Sequence, residues 1–340
     1  MDIETFFTEL YVIVDDCYKA NIAGQISRHA GAQQQLSDSE VLTIALAGQW
    51  RVGVAWASER GVVRWVNRYG RGMFPGMLQR SAFNARVRWL WGAFIILQQV
   101  VGEWLSSKQD IYECVDSVPL PAFSNGQACR EPGHWLWESR AGHGGTSGGF
   151  YTGDQVLASV TASGVVTGWL LGNADIDERW LLSALLSARA GQPHLGGPGR
   201  DPHQARSRHL PPPCGHIGAF QAVGMASDRP YLADRGFNSA RWQRYWQQTY
   251  GATVLSVPPH NDPQRADWSR QDCLWLAFHR QIIDTTFGFL AEVFAWRKLQ
   301  AHSRWGQYTR VAAIFAAYHL GLFLNRCLGR PLHALATLLS

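Results

Sequence analysis

Apolar positions recur at helical spacing through the first hundred residues, then change to strand-like runs near residue 110. Leu36-Ser37-Asp38-Ser39-Glu40 reads as a helix start, because Ser37 can cap the backbone of Glu40 while Glu40 reaches back. The following Val41, Leu42, Ile44, Ala45 and Leu46 suit a buried helix face. Ser81 is placed to cap a second helix with Phe83, Val87, Leu90 and Trp91 at inward spacing and Arg80, Arg86 and Arg88 on or near its outer side. Beta-type runs follow at 111–115, 156–161, 165–171, 231–233 and 253–257. Helical patterns occupy 180–190 and 239–250, and two long helices are expected over 280–324.

This order predicts an α/β chain: a mixed sheet with flanking helices, preceded by an N-terminal helical domain. The expected boundaries are 1–108 for the helical domain, 109–325 for the sheet domain and 326–340 for a C-terminal tail. Residues 191–217, rich in Gly, Pro, His and Arg and including Pro211-Pro212-Pro213, read as an exposed insertion.

Composition narrows the partner. Only 17% of the 340 residues are charged, yet the net charge is +5 and the pI about 9.0. A basic balance favours an anionic partner, most often nucleic acid. The six cysteines form no CxxC pair, and the acidic start (Asp2, Glu4) lacks the basic n-region of a signal peptide. A cytoplasmic protein with reduced thiols is expected. The apolar runs 89–101 and 311–324 are too short for a bilayer and are expected as buried helices, so no membrane partner is implied.

Two aspartates then stand out. Asp116 follows the run Ile111–Val115 and precedes Ser117-Val118-Pro119-Leu120-Pro121, whose prolines are expected to end the strand. Asp234 follows Tyr231-Leu232-Ala233 and precedes Arg235-Gly236-Phe237, where glycine permits a tight turn. Either acid alone also reads as a turn aspartate. Together, in a basic chain, they suit a magnesium site, which takes hard oxygen ligands. Two ions would activate an attacking oxygen and stabilise a leaving one.

A third acid is expected from the C-terminal helices. Asp284 is read as opening an amphipathic helix just before the stripe Phe287, Leu290, Ala291 and Phe294. Glu292 is the alternative, roughly 80° further around the same helix. Arg280, one turn before Asp284, can hold a phosphate or pair with Asp284 itself. Arg297, Lys298, His302, Arg304 and Arg310 read either as a phosphate-tracking face or as an ordinary solvated surface. His134, His143, His194, His203, His209 and His216 show no ligand spacing, and Gly142–Gly149 lacks the GK[ST] ending of a nucleotide-binding loop. Trp135, Trp137 and Trp305 are candidates for stacking on bases.

Several blocks carry a resemblance by their order and spacing: LSDSEVLTIAL at 36–46, SAFNARVRWL at 81–90, VDSVPLP at 115–121, the stretch 148–179, ADRGFNSARW at 233–242 and RQIIDTTFGFL at 280–290. Over most of its length the chain resembles the DDE-type transposases of bacterial insertion sequences. That resemblance implies a ribonuclease-H-like catalytic fold and a catalytic, metal-binding set of Asp116, Asp234 and Asp284. It implies two Mg²⁺ or Mn²⁺ ions as cofactor and double-stranded DNA as partner, bound by a homodimer. Arg235, Arg280, Arg297, Lys298, Arg304, Arg310, Arg80, Arg86 and Arg88 are the expected DNA-binding residues. The chain departs from the pattern where it carries Asp284 in place of the usual glutamate, and Asp154-Gln155 where a Lys or His is usual. Two rival readings follow: a DNA-binding remnant that does not cut, and a ribonuclease-H-like nuclease without strand transfer.

Overall fold

A computed structural model describes residues 1–25, 35–124, 140–143, 149–191, 221–222, 224, 227–296, 299, 301 and 303–339. It divides into two compact units: Met1–Leu105 with Gly288–Ser340, and Ser106–Phe287. Residues 288–325, expected with the sheet, group with the N-terminal helices. The 191–217 insertion lies, from 192 onward, outside the described residues.

The first unit is helical: α1 (Ile3–Cys17), α2 (Asp38–Ala47), α3 (Glu59–Tyr69), α4 (Arg80–Trp89) and α5 (Trp91–Leu105), joined by a late helix over Arg304–Cys327 that packs along α5. Its core is aromatic. Phe6 meets Trp50 edge-on at 5.0 Å, and Trp50 meets Phe294 at 4.9 Å. The capping box forms as expected: the Ser37 N–H donates to Glu40 Oε2 at 2.6 Å, and the Glu40 N–H to Ser37 Oγ at 3.2 Å. The expected Ser81 cap does not form. Gln79 takes the cap position with extended backbone and no side-chain bond, so α4 starts earlier and Ser81 lies within its first turn.

The second unit holds the sheet: β1 (Glu113–Ser124), β2 (Arg140–His143), β3 (Phe150–Thr161), β4 (Val166–Asn173), β5 (Gln221–Ala222), β6 (Tyr231–Leu232) and β7 (Val254–Leu255). The strand order is β5-β4-β3-β1-β6-β7, with β2 beside β3. β1, β3, β4 and β5 pair antiparallel, while β1–β6 and β6–β7 are parallel. α6 (Glu178–Arg189) and α7 (Ala240–Tyr250) cover one face through Val115, Leu157, Leu181, Leu185, Phe237 and Trp246. The Trp246 indole N–H is satisfied by Ser183 Oγ at 2.6 Å. α8 begins at Arg270 and runs to Glu292; α9 is the Arg304–Cys327 helix. The whole is a mixed α/β molecule, and no helix among the described residues is long and apolar enough to cross a membrane.

β1 overturns one expectation. Its prolines do not end the strand, which pairs with β3 through Pro119↔Gln155 and Pro121↔Gly153. The reason is the parity of the ladder. Glu113 donates its N–H toward β6, to Pro230 O at 3.0 Å. The odd residues up to Pro121 therefore direct their nitrogens to that same side, where pairing with β6 stops at Cys114. Proline loses no ladder bond there.

Candidate active site

Asp116 lies within β1, opposite Ala158 of β3, and does not mark a strand end. It stands at the open edge of β1 just past the β6 pairing. Asp234 leaves β6 as expected. Its Oδ1 accepts the Gly236 N–H at 2.7 Å and caps a single 3₁₀ turn over Arg235–Phe237. Phe237 is fully buried and anchors that turn in the core. Arg235, beside the acid, is exposed.

A third carboxylate joins them that the sequence reading passed over. Glu178 opens α6 and accepts a short hydrogen bond from Ser117 Oγ. A Cβ on Gly236 would stand 3.0 Å from Asp234 Oδ1 and 3.2 Å from Glu178 Oε2, so the two carboxylates converge on one glycine. A larger residue at 236 would crowd both. The available signal was an acid at a helix start, the cue that singled out Asp284.

The electrostatics bind the three acids together. Burial pushes the Asp116 carboxyl up, Arg280 draws it back, and Asp234 and Glu178 add to the rise, leaving it at about 7. Glu178 is also raised, chiefly by burial, with Ser117 opposing and Asp234 and Asp177 adding. Burial raises the neighbouring Tyr151 phenol, and the charges of Asp154 and Glu178 raise it further.

Arg280 supplies the positive charge. Its Nη2 donates to Asp116 Oδ2 at 2.9 Å, while the Ser117 N–H donates to Asp116 Oδ1 at 2.8 Å. The expected Arg280–Asp284 pair is therefore replaced by Arg280–Asp116. Asp284 does not open a helix; it lies well inside α8, next to the buried Ile283, and is itself exposed. Its charge is felt at Cys114, whose thiol is pushed up to about 12 mainly by burial, with Asp284, Asp116 and Glu113 adding. Glu292, the alternative third acid, ends α8, is exposed and belongs to the first unit.

Among the described residues, no group of three His, Cys, Asp or Glu is arranged to hold a metal ion. Asp116, Asp234 and Glu178 carry the hard oxygen donors that a divalent cation takes, but they are not arranged as a metal-holding group. In this arrangement the Arg280 guanidinium already neutralises part of their charge.

The expected DNA-binding residues separate into groups. Arg80 and Arg88 are exposed. Arg86 is not on an outer surface: it pairs with the buried Asp38, which also accepts from Tyr18 Oη at 2.6 Å. Arg310 pairs with Glu59 and bonds Leu299 O, so it too serves the fold. Arg304 is half-buried at the start of α9. Trp305 donates to Arg88 O at 3.1 Å and packs edge-on against Trp91, which occupies its ring within the first unit. Arg297, Lys298, His302, Trp135 and Trp137 lie outside the described residues. Of the cysteines, Cys17, Cys114, Cys273 and Cys327 are free thiols.

No family model, curated protein or solved structure matches the chain.

Proposed function

We propose that the chain is a metal-dependent DNA transposase that hydrolyses the phosphodiester at a transposon end and joins the freed 3′-hydroxyl to target DNA. The observation that carries this reading is the meeting of Asp116 and Asp234, brought together from distant segments, with Asp116 raised to about 7. Acids kept at such an energetic disadvantage mark functional sites more often than structural ones. The sheet supports the same reading: three antiparallel strands (β4, β3, β1) followed by two parallel ones (β6, β7) is the order expected of a ribonuclease-H-like domain. The blocks resembling DDE-type transposases agree with it.

In this reading Asp116 and Asp234 are the carboxylates that would hold Mg²⁺ or Mn²⁺, with Glu178 sharing their surroundings and Asp284 the third acid that the resemblance implies. Bound there, the ions supply an activated attacking oxygen and stabilise the leaving one. Arg280 holds Asp116 in place, and its guanidinium is the group nearest to that carboxylate that could bind a substrate phosphate. Arg235, exposed beside Asp234, is available to the DNA strand.

Cleavage of terminal-repeat DNA with Mg²⁺ or Mn²⁺ tests the activity, and joining of pre-cut ends separates a transposase from a simple nuclease. Asp116→Ala and Asp234→Ala are expected to abolish cleavage; wild-type rates in both would sink the site assignment. A reading independent of turnover is thermal stability. Mg²⁺ is expected to raise the Tm of the wild type and to leave that of Asp116→Asn unmoved.

A second reading, a DNA-binding protein that no longer cuts, is favoured by the exposed Asp284 and by the ion pair that engages Asp116. Salt-dependent DNA binding without cleavage, with cleavage restored by Asp284→Glu, would establish it.

A further inference from the structure

The first unit carries a charged groove that the catalytic reading does not use. α3 is divided cleanly in two. Val62, Val63 and Val66 are buried, while Arg60, Arg64 and Arg68 recur one turn apart on the opposite, exposed side. Arg71 continues the row just past the helix and donates its Nε–H to Asn67 O at 2.9 Å. Arg68 lies 5.3 Å from the ring centre of the exposed Tyr69. Across from this row, Met77, Leu78, Gln79 and Arg80 lead into α4, and the two segments line a cleft of about 420 Å³ with Arg60, Arg64 and Asn67.

No carboxylate balances the groove. The acid on α3, Glu59, is taken by Arg310. Among the described residues Arg60, Arg64, Arg68 and Arg80 make no ion pair. Like charges so close together cost stability unless an anion neutralises them. Their spacing, about 6 Å along the axis between residues four apart, suits a polymer with regularly repeated anions better than a single small one. Duplex DNA offers a charge on each strand about every 3.4 Å of its axis, so an arginine row about two turns long can engage several phosphates of one strand. Asn67 and Gln79, facing the same cleft, add amide groups able to bond phosphate or sugar oxygens.

We propose that the α3 arginine row, Arg60, Arg64 and Arg68 with Arg80 across the cleft, is a docking surface for the phosphate backbone of duplex DNA. The proposal rests on the reading that the chain acts on DNA, but it concerns a surface separate from the candidate active site. Arg86, committed to Asp38, is not part of it.

The test is binding of the full chain to a short random-sequence duplex over a range of salt concentrations. Each phosphate contact contributes about 0.9 to the slope of log K against log salt, so the triple variant Arg60→Gln, Arg64→Gln, Arg68→Gln is expected to lose about 2–3 of that slope. Its affinity at low salt is expected to fall by about tenfold or more. The triple lysine variant keeps the charges and is expected to keep most of the slope. All three side chains are exposed and their mutual repulsion is relieved, so the Tm of the glutamine variant is expected to be no lower than that of the wild type. A glutamine variant that binds duplex with wild-type slope overturns the proposal. So does a wild type that ignores duplex DNA, whether it binds nothing or captures a polyglutamate chain through these arginines. Binding that follows the predicted pattern without any cleavage overturns the catalytic reading and leaves this surface standing.

Discussion

Two acids on one strand, Glu113 and Asp116, sit three residues apart and have opposite fates. Glu113 is fully buried against Arg189, with Nη1 to Oε2 at 2.8 Å. Thr167 donates to the same oxygen at 2.7 Å, Ser159 donates as well, and Tyr231 Oη accepts from Arg189 at 2.8 Å. Burial pushes the Glu113 carboxyl up, but Arg189 and the hydroxyls outweigh it and hold it below its usual range. Asp116 is less buried and also has an arginine, yet burial raises it to about 7, because Arg280 does not offset the burial and two further acids add to the rise. Burial alone therefore does not set the two acids apart. What separates them is whether the neighbourhood holds a surplus of negative charge or a closed set of donors.

The largest effect that sharpens this comparison is at the closed pair. Arg189→Met leaves Glu113 charged, buried and unpaired, and is expected to cost about 3–5 kcal/mol in urea denaturation. A loss under about 1 kcal/mol would mean that Glu113 is not held as an anion. Next comes a gain. Asp116→Asn is expected to stabilise the chain at pH 8 without metal by on the order of 2 kcal/mol. The sign follows from linkage. The folded pKa of Asp116 stands above the ordinary 3.8, so the unfolded chain binds fewer protons between 3.8 and about 7, and wild-type stability falls as pH rises through that window. The asparagine variant escapes the fall, so its advantage is expected to vanish near pH 3. An advantage independent of pH would break the account.

Glu113 runs the other way. Its carboxyl is lowered from the ordinary 4.5, so its contribution is present above that value and is lost as pH falls through the folded pKa. A smaller test of the closed set is Tyr231→Phe, which removes one bond to Arg189 and is expected to cost about 1 kcal/mol in the same denaturation. The smallest is Glu178→Gln. It relieves part of the crowding at the open set, and its Tm gain at pH 8 is expected to be real but below that of Asp116→Asn. A larger gain would make Glu178 the acid that bears most of the strain.

Much of the frame was legible along the chain because it depends on local pattern. The Ser37–Glu40 capping box needs only two residues three positions apart. The apolar runs that became α5 and α9 are buried as read. Asp234 ends a short strand and turns at Gly236, both readable from neighbours in sequence. Asp116 was readable as an acid of interest, but its setting was not. Pro119 and Pro121 look like a stop until the ladder's parity turns their nitrogens to an unpaired edge.

What the sequence by itself determined is which segments are helical and which strand-like, which faces are apolar, and that Asp116 and Asp234 are worth suspecting. Those properties are set by residues within a turn or two of one another. Only the tertiary structure decided the partners. It gave Arg280 to Asp116 across 164 positions, Arg86 to Asp38 across 48, and Glu178 to Ser117 across 61. Charges act through space, and a side chain's partner is whichever opposite charge folding brings within reach in a medium that screens poorly. No spacing rule along the chain contains that information, so the partners of these arginines and of Glu178 could appear only once the fold had formed.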